Sequence, residues 1–160
     1  IFRAGCCCRL FPQAWVWHKR RTDFRKFWRQ VYNSGIARIN LYKKYPDSLR
    51  LVHLLPMVFT VGVSVLALFI VVGLGLLIAG SHAVVGTWLA LLGVAPLLLY
   101  VLLILIDATR VSGSVRVGCL SVASAFIQLM GYGCGFISAW WRRCVLGHSE
   151  FSAFDKTFYK

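Results

Sequence analysis

Acidic side chains are scarce in this sequence: Asp23, Asp47, Asp107, Glu150 and Asp155 are the only carboxylates among 160 residues. No two of them share an element at a spacing that suits acid–base catalysis or a hard-cation site. The sequence has no G-x-S-x-G, no H-E-x-x-H and no glycine-rich phosphate loop leading into a helix. Taken by itself, it lacks the groups that catalysis needs. Its six cysteines, at 6, 7, 8, 119, 134 and 144, include no C-x-x-C pair, and His18 stands too far off to complete a zinc spacing. No metal site is therefore expected, and Cys6, Cys7 and Cys8 read as small strand residues in a reducing compartment. The chain opens on Ile1 without a charged region ahead of an apolar core, so no signal peptide is expected and the sequence reads as a piece of a longer protein.

Charge is also missing from long stretches. Residues 51 to 106 contain no Asp, Glu, Lys or Arg, only His53 and His82, and residues 117–141 are again uncharged. Yet the net charge is +13, with 59% hydrophobic residues and a mean hydropathy of +0.71. Such values exceed those of an ordinary soluble domain. They coexist because charge and hydrophobicity are segregated: residues 1–50 hold 12 of the 18 basic side chains.

Residues 1–18 suggest the edge of a soluble α/β domain, with turns at Ala4-Gly5 and Pro12-Gln13 and short strands at 6–11 and 14–17. Two such strands cannot bury a core alone, so the rest of their sheet would lie upstream. Residues 22–44 differ. Phe24, Phe27, Trp28, Val31, Tyr32, Ile36, Ile39 and Tyr42 recur at helical spacing, with Arg25, Lys26, Arg29, Arg38, Lys43 and Lys44 mainly between them. Thr22 suits an N-cap, Asp23 the first turn, and Tyr45-Pro46 a helix end. Bulky aromatics opposite Lys and Arg fit the headgroup boundary of a membrane. The plainer alternative is a core-facing helix of a soluble domain with solvated charges.

Three candidate spans follow. Residues 57–79 give roughly 34 Å of helix against a hydrocarbon core of ~30 Å. Gly80-Ser81-His82 makes a minimal turn, residues 83–106 return with Pro96 as a tolerated kink, and 107–116 form a polar loop. Residues 117–141 are the third candidate, ahead of a polar tail at 142–160. In that third segment Ser121, Ser124, Ala125, Gln128, Gly131 and Gly135 share one stripe, and Gly131 to Gly135 is a G-x-x-x-G spacing that admits a neighbouring backbone. Helix packing is the simpler role; the sharper one has Gln128 and Tyr132 lining a polar path for a lipid headgroup. The fold class is thus mainly α and membrane-embedded: an α/β edge, an amphipathic interfacial helix over 22–50 with its linker, then two to three transmembrane helices. The basic residues place the N-terminal segment in the cytoplasm. The Arg142-Arg143 pair fits poorly on the far side, so two arrangements stay open: a third segment that crosses fully, or a tilted or re-entrant one that returns the tail to the cytoplasm.

The cluster His18-Lys19-Arg20-Arg21 has two readings. It can bind a phosphate or diphosphate through charge-assisted hydrogen bonds, or anchor to anionic lipid at about 1 kcal/mol per residue. Nucleic acid is disfavoured, because the basic patch leads straight into a membrane span.

At this point the residues carry a likeness. Ile1-Phe2-Arg3-Ala4-Gly5, then Leu10-Phe11-Pro12-x-Ala14-x-Val16-x-His18-Lys19-Arg20-Arg21, resembles the end of the catalytic domain of a bacterial family 2 glycosyltransferase of GT-A type. Phe27-x-Arg29-Gln30-Val31-Tyr32-Asn33-x-Gly35-x-Ala37-Arg38 resembles the amphipathic helix that follows in membrane-anchored members. Gln128-Leu-Met-Gly131-Tyr132-Gly133-x-Gly135-Phe136, on to Phe154-Asp155-Lys156, is similar to their C-terminal end. The resemblance implies a nucleotide-sugar donor, a divalent metal (Mg or Mn), a cytoplasmic active site at the bacterial inner membrane, and a lipid-linked or cell-envelope acceptor. Residues 1–21 would be the end of the catalytic domain, with His18, Lys19, Arg20 and Arg21 near the donor diphosphate. The metal-binding D-x-D and the catalytic Asp would precede Ile1. Processive members carry Q-x-x-R-W, which Gln30-Val31-Tyr32-Asn33-Ser34 does not match, so single transfers are expected. The rival from another class is a non-catalytic membrane adaptor that binds anionic lipid through its basic helix.

Overall fold

The computed structural model describes residues 5, 7, 9–17 and 23–149. Among them the fold is helical: α1 (Phe24–Lys44), α2 (Leu55–Ile78), α3 (Ala83–Ser112) and α4 (Val115–Trp140), with two short 3-10 turns (Pro46–Ser48 and Leu51–Leu54) between α1 and α2. A π turn, Trp141–Val145, follows α4. The expected strands at 6–11 and 14–17 are not formed by the described residues of those stretches. A lone strand has no neighbour for its N–H and C=O groups, and no described segment offers one. The turn at Pro12-Gln13 is present, closed by Ala14 N donating to Phe11 O at 3.0 Å.

Helix α1 starts one residue later than the sequence suggests. Asp23, not Thr22, is its N-cap, and the Asp23 carboxylate accepts from Arg25 N at 2.8 Å. Thr22 lies outside the described residues. Tyr45 is the C-cap, and Pro46, which cannot continue a helix, opens the next turn. The polar loop expected at 107–116 is shorter than that: α3 runs through Asp107 and Arg110 to Ser112, so only Gly113 and Ser114 connect it to α4. Gly113, at φ 69, supplies the left-handed residue that ends α3.

Helices α2, α3 and the segment containing α4 are each long and apolar enough to cross a membrane. Helices α2 and α3 form an antiparallel hairpin that stays in register along its length. Gly73 lies against the backbone of Gly86 and Ala90, Gly93 against Leu66 and Ile70, and the Phe59 and Tyr100 rings meet at 5.1 Å. Their surfaces carry Leu, Val and Ile facing outward, as lipid contact requires.

Helix α4 does not extend this hairpin as a third parallel member. Its start meets the end of α3, with Gly118 against Leu105 and Thr109. Phe126 then touches both Phe59 and Tyr100, at 5.8 and 5.5 Å. Leu129 O lies 3.4 Å from Thr60 Oγ1, and Gly133 sits against Pro56 and Thr60. Phe136 and Ala139 join a cluster with Leu49, Leu54 and Met57. From 118 to 139 the helix advances about 32 Å, yet it meets α2 at Pro56, Met57, Phe59 and Thr60, within the first two turns. It therefore lies across the open end of the hairpin rather than along it.

Helix α1 runs beside the second half of α4, in the same direction. Gly131 meets Trp28 and Val31, Gly135 meets the Tyr32 backbone, Gly35 meets Tyr132 and Phe136, and Arg143 Nη1 donates to Asn40 Oδ1 at 2.6 Å. Val31, Ile36 and Ile39 are buried in this contact, Ile39 completely. A Cβ at Gly35 would stand 2.7 Å from Phe136 N, so the two backbones approach as only glycine allows.

Candidate functional site

Where α1, the second 3-10 turn, α2 and α4 converge, a notch of about 210 Å³ opens to the surface. Arg38, Val52, His53, Pro56, Gln128, Leu129 and Tyr132 line it. Local rules position its polar members. Arg38 precedes Ile39, and burying Ile39 on α4 carries the half-buried Arg38 to the rim. Gln128 and Tyr132 are four apart on α4 and so stand on one face, a turn from each other. The Tyr132 ring stacks on Phe136 at 6.4 Å and 22°. His53 Nδ1 accepts from Arg50 N at 3.0 Å, which makes Nδ1 the unprotonated nitrogen and leaves Nε2–H as a donor.

Among the described residues, no hydrogen bond or ion pair takes up the Arg38 guanidinium, the Gln128 amide or the Tyr132 hydroxyl, and none of the seven lining residues is acidic. The notch thus presents donors and a fixed cation over an apolar floor of Val52, Pro56 and Leu129. It holds no nucleophile paired with a base, and its chemistry is that of anion binding.

A second depression of about 270 Å³ lies along the first half of α1, lined by Arg25, Trp28, Arg29 and Tyr32. The stripe expected to face a membrane surface is therefore divided. Val31, Ile36 and Ile39 are taken by α4, while Phe24, Trp28, Arg29 and Gln30 remain exposed and Phe27 is half-buried. Gly131 and Gly135 of the G-x-x-x-G spacing pack against α1, and the intervening Gly133 packs against α2. Residues 18–21, the diphosphate candidates, lie outside the described residues.

In the sequence Arg38, Gln128 and Tyr132 belong to separate features, Arg38 to the amphipathic helix and the other two to the stripe of the third segment. His53 stands out there only as a histidine in an otherwise uncharged apolar run. The available signal was a histidine three residues after Arg50, at the point where the charge stops. Among the described residues no group of three His, Cys, Asp or Glu side chains could hold a metal ion. Compared with family models, curated proteins and solved structures, the chain gives no match.

Proposed function

We propose that this chain is the membrane-seating portion of a family 2 glycosyltransferase acting at the cytoplasmic face of a bacterial inner membrane. The observation that carries this reading is the seat itself. The segment bearing the catalytic-domain resemblance leads through Asp23 into α1, and α1 is held backbone-to-backbone on α4 at one end of a membrane-length hairpin. A domain joined there would be held at a fixed position against the membrane, within reach of a lipid-borne acceptor. Orienting a reactant in this way lowers the entropic part of a barrier.

In this reading the parent enzyme moves a sugar from a nucleotide-sugar donor to a lipid-linked or cell-envelope acceptor. Lys19, Arg20 and Arg21, with His18, stabilise the charge that develops on the departing diphosphate. The acidic motifs and the Mg or Mn ion belong to the region before Ile1. The test is sugar transfer by the longer protein. Arg20→Ala and Arg21→Ala should each lower its rate about ten- to a hundredfold, the loss of one charge-assisted contact of roughly 1.5–3 kcal/mol, with membrane retention unchanged. Residues 1–160 alone should enter membranes and transfer no sugar. Wild-type turnover in both variants would overturn the diphosphate role. A parent with no nucleotide-sugar turnover would leave the anionic-lipid adaptor in place of the enzyme.

A further inference from the structure

Arg38, His53, Gln128 and Tyr132 are far apart in sequence, and the fold gathers them around one notch. We infer that this notch binds the phosphate group of a membrane-lipid headgroup. The inference rests on the chain being membrane-embedded and is independent of sugar transfer.

Four observations support it. The first is chemical: a guanidinium, an imidazole N–H, a phenol and a carboxamide are complementary to phosphate oxygens, and no carboxylate lines the notch to oppose an anion. Arg50, whose backbone N–H fixes the imidazole, adds a second positive charge nearby. The second is vacancy of partners: among the described residues the Arg38, Gln128 and Tyr132 polar groups have no protein partner. The third is depth. The notch lies at the start of α2, where a run of 56 residues without Asp, Glu, Lys or Arg begins at Leu51, and on the same end of the hairpin as the basic helix α1. Lipid headgroups occupy that level. The last is size. About 210 Å³ falls below the ~300–1,000 Å³ of sites for drug-sized ligands. It suits a phosphate with its first glycerol atoms and not an entire nucleotide-sugar. Val52, Pro56 and Leu129 then receive the beginning of the acyl region.

The experiment uses the purified chain in nanodiscs of phosphatidylcholine doped with phosphatidylglycerol, with retained lipid counted by native mass spectrometry after transfer to detergent. Arg38→Gln should lower retained phosphatidylglycerol roughly tenfold or more, as expected for loss of a charged hydrogen bond. Tyr132→Phe keeps the ring on Phe136 and removes only the hydroxyl, and it should lower retention several-fold. Arg29→Gln removes the same charge from an exposed position of α1 that does not line the notch, and it should change retention less than twofold. Excess inorganic phosphate should not displace the lipid. Equal, small losses for all three variants would mean general surface attraction and overturn the site. Displacement by inorganic phosphate would overturn the lipid as its source. A chain that inserts normally but retains lipid independently of Arg38 overturns the site alone, whereas a chain that stays out of the bilayer overturns the membrane reading with it.

Discussion

The contact between α1 and α4 makes a sharp demand on one atom. At Gly35 an added Cβ would lie 2.7 Å from Phe136 N, and it would also overlap the Tyr132 carbonyl. Both neighbours are backbone, so neither can swing away as the end of a side chain would. Gly35→Ala must therefore push the helices apart, and overlap with two backbone atoms at once belongs in the upper part of the overpacking range, about 2–3 kcal/mol. Replacing glycine inside a helix returns up to ~1 kcal/mol of propensity. The net effect is a destabilisation of the seat by roughly 1–2 kcal/mol, or about five- to thirtyfold in its opening equilibrium. Gly62 on α2 supplies the matched control, because a Cβ there meets nothing within 4 Å. Gly62→Ala should be neutral or slightly stabilising. Hydrogen exchange of the α1 amides in nanodiscs reads the opening directly. Protection across residues 31–40 should fall five- to thirtyfold in Gly35→Ala and hold in Gly62→Ala, by the same arithmetic. Equal protection in the two variants would refute the backbone-to-backbone seat, and with it the argument that α1 is fixed to the hairpin.

Two further outcomes follow from the same packing. With single cysteines in a cysteine-free background, an impermeant thiol reagent applied to intact cells should miss position 47, reach position 81, and miss position 149, since α4 lies across the end of the hairpin where α2 begins; labelling of 149 together with 81 would mean that α4 crosses fully. The Arg143–Asn40 hydrogen bond, 2.6 Å and partly buried, should give a coupling of about 1 kcal/mol in a double-mutant cycle of Arg143→Ala and Asn40→Ala, measured by the same exchange of α1; a coupling near zero would show that the π turn does not hold α1.

Sequence alone determined the local properties of this protein. The uncharged stretches fix where the apolar helices lie, because an unpaired charge inside hydrocarbon is costly and an unbroken apolar run of that length has few other stable forms. They do not fix where those helices end, since α3 continues through Asp107 and Arg110 to Ser112. The alternation of aromatics and basic residues over 24–44 likewise specifies an amphipathic helix, and Pro46 its end. That the described residues of 6–11 and 14–17 form no strand has the opposite cause: a strand is a property of a pair, and its partner cannot be inferred from the segment itself. Tertiary structure alone decided what each helix faces. The run 117–141 is equally compatible with lying along the hairpin or across it, since hydropathy measures length and polarity but not direction. What settles the direction is which small residues meet: Gly35 against Gly135, about a hundred positions apart, and Gly133 against Thr60. Those approaches turned the G-x-x-x-G spacing toward α1, covered Val31, Ile36 and Ile39 of the apolar stripe expected to lie on lipid, and brought Arg38, His53, Gln128 and Tyr132 to one notch that no local pattern foretells.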